Sequence, residues 1–281
     1  MHAGTPRNLE QKGSTMTPQD LLDHNDDGRL WPDTWPNPAC TDLPAAYQAA
    51  LAVRGLRLAR GETGRGYKIG FTNRNIWPRY KVFAPVWGSV WGTTLAFADA
   101  VEGTVPLTGL CQPRIEPEAV FGMKTTPRAG ASLDDLFEAL DWVAPGFEVV
   151  QSHRPAWKFS AAETVADGGL HGRLLVGRKV PITELARNAQ QLQDVLARTR
   201  LGLHKNGSLV EEGLGANVLD DPLRALRYFL EELRACPGAP DVQAGDVITT
   251  GTWTDAWPVE PGERWSARFS ASLSDLTIRF C

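Results

Sequence analysis

The chain has 281 residues, 42% of them hydrophobic, enough to bury a sizeable core as one large domain or two small ones and too apolar for a disordered or fibrous protein. Lys and Arg number 29 against 33 Asp and Glu, with no long run of either sign, so no basic surface for nucleic acid or anionic lipid is advertised and a small molecule is the expected partner. Cys40, Cys111, Cys236 and Cys281 stand far apart without a C-x-x-C pair, which suits reduced thiols in a cytoplasmic protein better than a disulfide framework or a zinc site.

The opening stretch MHAGTPRNLEQKGSTMTPQD lacks the apolar segment of a signal peptide, and nowhere do roughly 18 consecutive apolar residues offer a membrane span. A cytoplasmic location is therefore expected. Thr17 caps a helix with Pro18 in its first turn, so the residues before Met16 read as a loose extension or a misassigned start. Residues 27–40, DGRLWPDTWPNPAC, are expected to form an irregular arm. This divides the chain into an N-terminal extension and arm over 1–40 and a single catalytic domain over 41–281.

Asp42 caps LPAAYQAALAVRGLRLARG, whose apolar residues recur at helical spacing until Gly61. GYKIGF then reads as a strand, and a loop rich in Trp and Pro runs on to VWGSVWGTTLAFA. Ser132 and Asp135 form a capping box for a helix over LDDLFEALDWVAP, which delivers the chain into the strand GFEVVQ. GRLLVG is another short strand, and Asn206-Gly207 marks a hairpin within LHKNGSLVEEG. Asp221 caps PLRALRYFLEELRA, with Leu223, Leu226, Phe229, Leu230 and Leu233 on one face. Strands and turns fill the C-terminus: GDVITTGTW, the turn PVEPGER, WSARFSA and DLTIRF. Several short strands with few helices between them predict an α+β fold dominated by β structure.

In CQPRIEPEAVFG the strand period of two puts Glu116 and Glu118 on one face and Pro117 on the other. Taken alone, the pair also fits the wet face of an edge strand. Glu148, however, sits among Phe147, Val149 and Val150, where an unpaired carboxylate would cost several kcal/mol or take up a proton. A divalent cation removes that penalty, and three carboxylates make a hard, all-oxygen site suited to Mg²⁺ or Mn²⁺. Lys68, inside the apolar strand GYKIGF, is an exposed edge lysine, an ammonium aimed at an anionic substrate, or a proton donor with depressed pKa. Asp167, before a Gly pair, is a turn residue or an acid of the site. GRGYKIG is no dinucleotide fingerprint, no phosphate-binding loop occurs, and the five histidines show no metal-ligand spacing.

YKIGFTN, PRIEPEAVFG, FEVVQSHRPAWKFSAAETVAD and AGDVITTGTWTDAWPVEPGERWSARF stand in the order found in the fumarylacetoacetate hydrolase superfamily. From about Leu43 onward the chain resembles its 2-keto-4-pentenoate hydratase / 4-oxalocrotonate decarboxylase branch. The resemblance implies a mixed β-sandwich roll with a few flanking helices, Glu116, Glu118 and Glu148 as ligands of Mg²⁺ or Mn²⁺, Lys68 and Asp167 as catalytic residues, and Thr252, Trp87 and Ser160 as substrate contacts. It also implies self-association into a homo-oligomer, and a 2-oxo acid or 2-hydroxydienoate as substrate.

Three departures from the branch concern the pocket. Gly168 and Gly169 replace side chains after VAD, Val86 replaces an acid before WG so that Trp87 and Trp91 narrow the cavity, and SASLSD stands where a Gly-Leu-Gly turn is usual. They imply a bulkier or more apolar substrate than the small dienoates. Hydrolases of the superfamily carry a His and Glu dyad soon after the KIGFTN strand, where this chain reads NRNIWPRYKVF. Hydration of a 2-hydroxy-2,4-dienoate in aromatic-ring breakdown is thus the first expectation, followed by decarboxylation of an oxalocrotonate-like diacid, acylpyruvate C–C hydrolysis and a non-catalytic partner subunit. APVWGSVW and VADGGLHG, assigned to the pocket wall, offer no cation before Arg173, which favours a monoacid and hydration.

Overall fold

Side-chain caps start most of the helices of the computed structural model, which describes residues 16–32, 41–99, 101–270 and 273–281. Thr17 and Asp20 make a reciprocal capping box at α1 (Pro18–Asp27), and Asp42 accepts the amide hydrogen of Ala45 at α2 (Leu43–Ala59). After the short α3 (Trp77–Tyr80) come α4 (Leu133–Ala139) and α5 (Ala161–Ala166), opened by capping boxes from Ser132 and Ser160. α6 (Ile182–Leu185), α7 (Ala189–Arg198) and α8 (Pro222–Ala235) follow, the last two capped by Asn188 and Asp221. Cys40, the part of the arm over 33–40, residues 1–15 and positions 271 and 272 of the SASLSD turn lie outside the described residues. No helix among the described residues is long and apolar enough to cross a membrane.

Among the described residues, fourteen strands complete the fold. They are β1 (Gly64–Gly70), β2 (Val86–Trp91), β3 (Leu95–Phe97), β4 (Glu102–Val105), β5 (Arg114–Met123), β6 (Leu140–Val150), β7 (His171–Val176), β8 (Val180–Pro181), β9 (Arg200–Lys205), β10 (Ser208–Leu214), β11 (Val247–Thr249), β12 (Trp257–Pro258), β13 (Arg264–Phe269) and β14 (Leu276–Phe280). The larger sheet runs β2-β1-β11-β5-β6-β7-β3, with β12 on β5 and β8 on β6, and the smaller runs β10-β9-β13-β14-β4. Both sheets mix parallel and antiparallel pairs, as with β1 on β11 and β5 on β6. Because β3 follows β2 after a tight turn yet pairs with β7, the larger sheet curls until its two ends meet. The protein is an α+β roll.

One face of the curled sheet carries Ile115, Phe121, Phe147 and Val149 into the main core, where they meet Trp265 and Ile278 of the smaller sheet and Leu226 and Phe229 of α8. The opposite face carries a smaller apolar cluster, Val90, Val120, Ala144, Leu174, Val176 and Val247. Residues from β2 and β7 meet there although four strands separate them in the sheet, so this face is the inside of the roll. The helix expected over LDDLFEALDWVAP stops at Ala139. From Leu140 onward the backbone pairs with β5 along its length, Trp142 opposite Gly122 and Val143 opposite Phe121, and strand geometry wins over helical spacing. α7, for which the sequence reading gave no element, packs its Leu192 and Leu196 into the main core.

Candidate metal and active site

The register of β5 on β6 assembles three carboxylates. Glu116 lies directly opposite Glu148, and Glu118 lies one pleat further, so all three point into the roll. Regular pairing of β11 ends at Thr249, opposite Val120, and in the space beyond it Lys68 of β1 approaches the acids. One oxygen from each of Glu116, Glu118 and Glu148 lies within 4.8 Å of the others. Lys68 Nζ is 3.2 Å from Oε2 of Glu148, a buried ion pair.

These groups are withdrawn from water. Glu118 and Glu148 are fully buried, Lys68 is 4% exposed, and Glu116 is partly exposed to the cavity. Burial, reinforced by Glu148 and opposed by Lys68 and Arg114, pushes Glu116 up to about 7. Burial and the charges of Glu148 and Glu116 raise Glu118 well above the usual range. Glu148 moves the other way: burial opposes its ionisation, but Lys68 and a hydrogen bond from His171 outweigh it. Burial would depress Lys68, yet the three carboxylates overcome it and hold the ammonium charged. Its burial sets aside the exposed edge lysine among the readings open for Lys68.

Each acid is oriented by a neighbour. The Gly251 amide donates to Oε2 of Glu118 at 2.6 Å. At that position φ is +102°, and a Cβ would lie 2.0 Å from Oγ1 of Thr72, so only glycine fits. His171 Nδ1 lies 2.8 Å from Oε1 of Glu148, and its Nε2 lies 2.8 Å from Oγ1 of Thr94. Burial lowers the His171 pKa against the pull of Glu148, which assigns a neutral ring that donates from Nδ1 and accepts at Nε2. His171 was missed at the sequence level because its contact depends on the β6–β7 pairing, which slips at Val149 and Val150.

Two buried oxygens, Oε1 of Glu118 and Oε2 of Glu148, have no hydrogen-bond donor. Ionising all three acids together needs more positive charge than Lys68 alone supplies, and hard oxygen donors at this spacing fit Mg²⁺ or Mn²⁺.

Glu116 and Lys68 open into a cavity of about 300 Å³, lined also by Thr252, Gly169 and an aromatic wall of Phe71, Tyr80, Trp157 and Phe159. Gly169, at φ +71°, lies against Lys68: a Cβ there would meet Lys68 Cδ at 3.1 Å and the Gly88 amide nitrogen at 3.0 Å. Four residues expected at or around the site lie elsewhere. Trp87 pairs across from Ile69, and Gly88 pairs across from Lys68, so Trp87 faces the main core and stacks on Tyr47 at 4.6 Å. Trp91 lies under Arg54 and Arg57 rather than in the cavity. Ser160 is spent on capping α5, and Asp167 is buried against His153, accepting from its backbone amide at 2.9 Å and lying 2.5 Å from Nδ1.

The expectation that the distal pocket wall offers no cation before Arg173 is corrected. Arg114, on the same strand face as Glu116, and Arg79 of α3 both line it, whereas Arg173 borders a separate polar cavity of about 470 Å³ beside Arg57 and Thr94.

No protein-family model matches the chain. It is 31% identical over 221 residues to 2-hydroxyhexa-2,4-dienoate hydratase of Comamonas testosteroni, covering 78% of this chain and 80% of the relative. It is 32% identical over 238 residues to 4-oxalocrotonate decarboxylase of Pseudomonas putida, covering 84% of each. Among solved structures, 4-oxalocrotonate decarboxylase from Pseudomonas putida G7, complexed with magnesium and adipate, superposes with a TM-score of 0.80 at 26% identity over 95% of this chain and 99% of that one.

Proposed function

Since the chain belongs to the 2-keto-4-pentenoate hydratase / 4-oxalocrotonate decarboxylase branch of the fumarylacetoacetate hydrolase superfamily, we propose that it is a hydro-lyase adding water to a 2-hydroxy-2,4-dienoate in aromatic-ring breakdown. The observation that carries this reading is the convergence of Glu116, Glu118 and Glu148 within 4.8 Å, with Lys68 at their side and a cavity in front. Glu116, Glu118 and Glu148 would hold Mg²⁺ or Mn²⁺. The ion's chemistry there is Lewis acidity toward a 2-oxo acid, polarising the carbonyl.

The chain's own residues do the rest. Lys68 brings an ammonium group to the cavity beside the carboxylates, where it would face the anionic end of the substrate. His171 and Gly251 hold the carboxylates of Glu148 and Glu118 in place, so charge rearrangement in the substrate need not wait for side chains to move. Thr252 brings a hydroxyl to the cavity wall, where it donates to the Thr254 carbonyl at 3.0 Å and keeps a lone pair for substrate or water. The aromatic wall gives a flat conjugated chain an apolar surface and limits access of bulk water.

Several further assignments belong to this reading. Residues 41–281 form the catalytic domain and 1–40 the extension. The enzyme is cytoplasmic, supported by the free thiols of Cys111, Cys236 and Cys281, and a homo-oligomer, supported by Phe83, a large apolar side chain 89% exposed. Decarboxylation of a diacid is the second reading, favoured by Arg114 and Arg79 in the cavity. Mass analysis of the product decides between the two: a gain of one water supports hydration, and loss of CO₂ from a diacid with no hydration of any dienoate would replace it.

A further inference from the structure

Behind His171 lies another cavity, about 470 Å³ against about 300 Å³ in front of the acids, and among the described residues the two share none of their lining. Alternation along β7 sends Leu174 and Val176 into the roll and leaves Arg173 on the outer side. Arg57, in the last turn of α2, and Arg60, just past it, reach the same space. His171 and Thr94, hydrogen-bonded to each other, stand between this cavity and Glu148.

The three cations are unequally satisfied. Arg57 grips Glu62 from Nε at 3.1 Å and from Nη2 at 2.9 Å, and its guanidinium lies 4.6 Å from the centre of the Trp91 ring. Arg60 pairs with Asp26 and Glu62. Arg173 donates from Nη1 to the Gly172 carbonyl at 3.1 Å, and among the described residues it forms no ion pair. Three guanidiniums thus border the cavity with two carboxylates, Asp26 and Glu62. Burial and the charge of Arg57 both act against the Arg173 cation and draw its pKa below that of a free guanidinium. A half-buried guanidinium beside a like charge is relieved when an anion meets it, and the Nε–Nη2 edge of Arg173 offers two parallel donors for one. The surplus is a single charge, which matches one carboxylate; a phosphate dianion would carry a second charge toward Asp26 and Glu62. Thr93, Thr94 and Thr108 put hydroxyls into the remaining wall, which suits a ligand with a hydroxylated body.

We propose that the cavity bordered by Arg173 and Arg57 is a binding site for a small hydroxylated monocarboxylate, behind the three glutamates and separate from the cavity in front of them. The ligand's carboxylate meets the free edge of Arg173, and its body lies toward the threonine hydroxyls. Such a site does not depend on hydration being the reaction at the glutamates. Its occupant shares a wall with the Glu148–His171–Thr94 row and no space with the substrate.

Calorimetry on the full chain with Mg²⁺ present tests this with 3-hydroxybutyrate, its neutral amide and inorganic phosphate as probes, in the parent, Arg173→Met and Arg114→Met. The carboxylate should bind the parent and Arg114→Met alike and bind Arg173→Met more weakly by about tenfold or more, while the amide gives no binding heat. Phosphate should bind more weakly than the carboxylate. Phenylglyoxal labelling of the parent, read by peptide mass analysis, needs no variant: the carboxylate should slow modification of Arg173 by about threefold or more and leave that of Arg114 unchanged. No carboxylate binding to the parent, or equal affinity in the parent and Arg173→Met, overturns the site, as does unchanged labelling of Arg173 should that variant not fold. Binding lost in Arg114→Met and kept in Arg173→Met also overturns it, because the carboxylate then sits in the front cavity. Phosphate bound more tightly than the carboxylate overturns the ligand class.

Discussion

His171 Nδ1 sits 2.8 Å from Oε1 of Glu148, a bond from β7 to β6 that reaches the carboxylate from the side away from Lys68. Thr94 completes the row at Nε2. A ligand orientated at one oxygen keeps the other free, which is how a neighbouring ring raises the affinity of a metal site it never touches. His171→Phe should therefore weaken Mn²⁺ binding by about 10- to 100-fold in calorimetry with the circular dichroism spectrum unchanged. Thr94→Val should give a smaller loss of the same sign.

Lys68 should matter to turnover more than to folding once Mg²⁺ balances the acids. Lys68→Met keeps the apolar stem and deletes the charge, and kcat is expected to fall by about 10² or more while the melting temperature in Mg²⁺ changes little. A variant with parental kcat would remove Lys68 from the chemistry.

The acids give the apo protein a pH signature of definite sign. Glu116, pushed up to about 7, and Glu118, raised well above the usual carboxylate range, both have folded pKa values above the unfolded ones. Their contribution to stability is fully present below about 4.5 and is lost as pH rises through the folded values. Mg²⁺ competes with those protons, so the rise in melting temperature on adding it should be larger at pH 8 than at pH 6. An equal or reversed increment would count against these acids as ligands.

Gly251→Ala is expected to damage both fold and site. Its left-handed φ and the nearby Thr72 hydroxyl leave no room for a methyl group, so a loss of more than about 1 kcal/mol is expected in denaturant unfolding. Metal affinity should drop with it, because the Gly251 amide orients Glu118. Gly130→Ala, at φ +67° with open space around it, provides the control that carries backbone strain alone.

Local signals in the sequence were enough for the N-cap at Thr17, the capping box at Ser132 and the shared face of Glu116 and Glu118, since each follows from spacing within one element. Long-range register was not legible. Trp87 was expected in the pocket, yet the pairing of Lys68 with Gly88 turns it to the core. The end of α4 was missed because pairing with β5, distant in sequence, converts Leu140 onward to strand. Arg114 falls in the same alternation as Glu116 and Glu118 and shares their face. Arg79 and the Trp157 wall depend on a strained loop that no pattern announces.

The most direct measurement is the initial rate at which chelator-treated enzyme removes the conjugated absorbance of a 2-hydroxy-2,4-dienoate, before and after Mg²⁺ is restored, in the parent and in Glu148→Gln. The expected result is no turnover after chelation, recovery in the parent, and none in the variant. Turnover that survives chelation, or a Glu148→Gln enzyme that recovers as the parent does, would contradict the assignment of Glu116, Glu118 and Glu148 as a metal site that drives hydration.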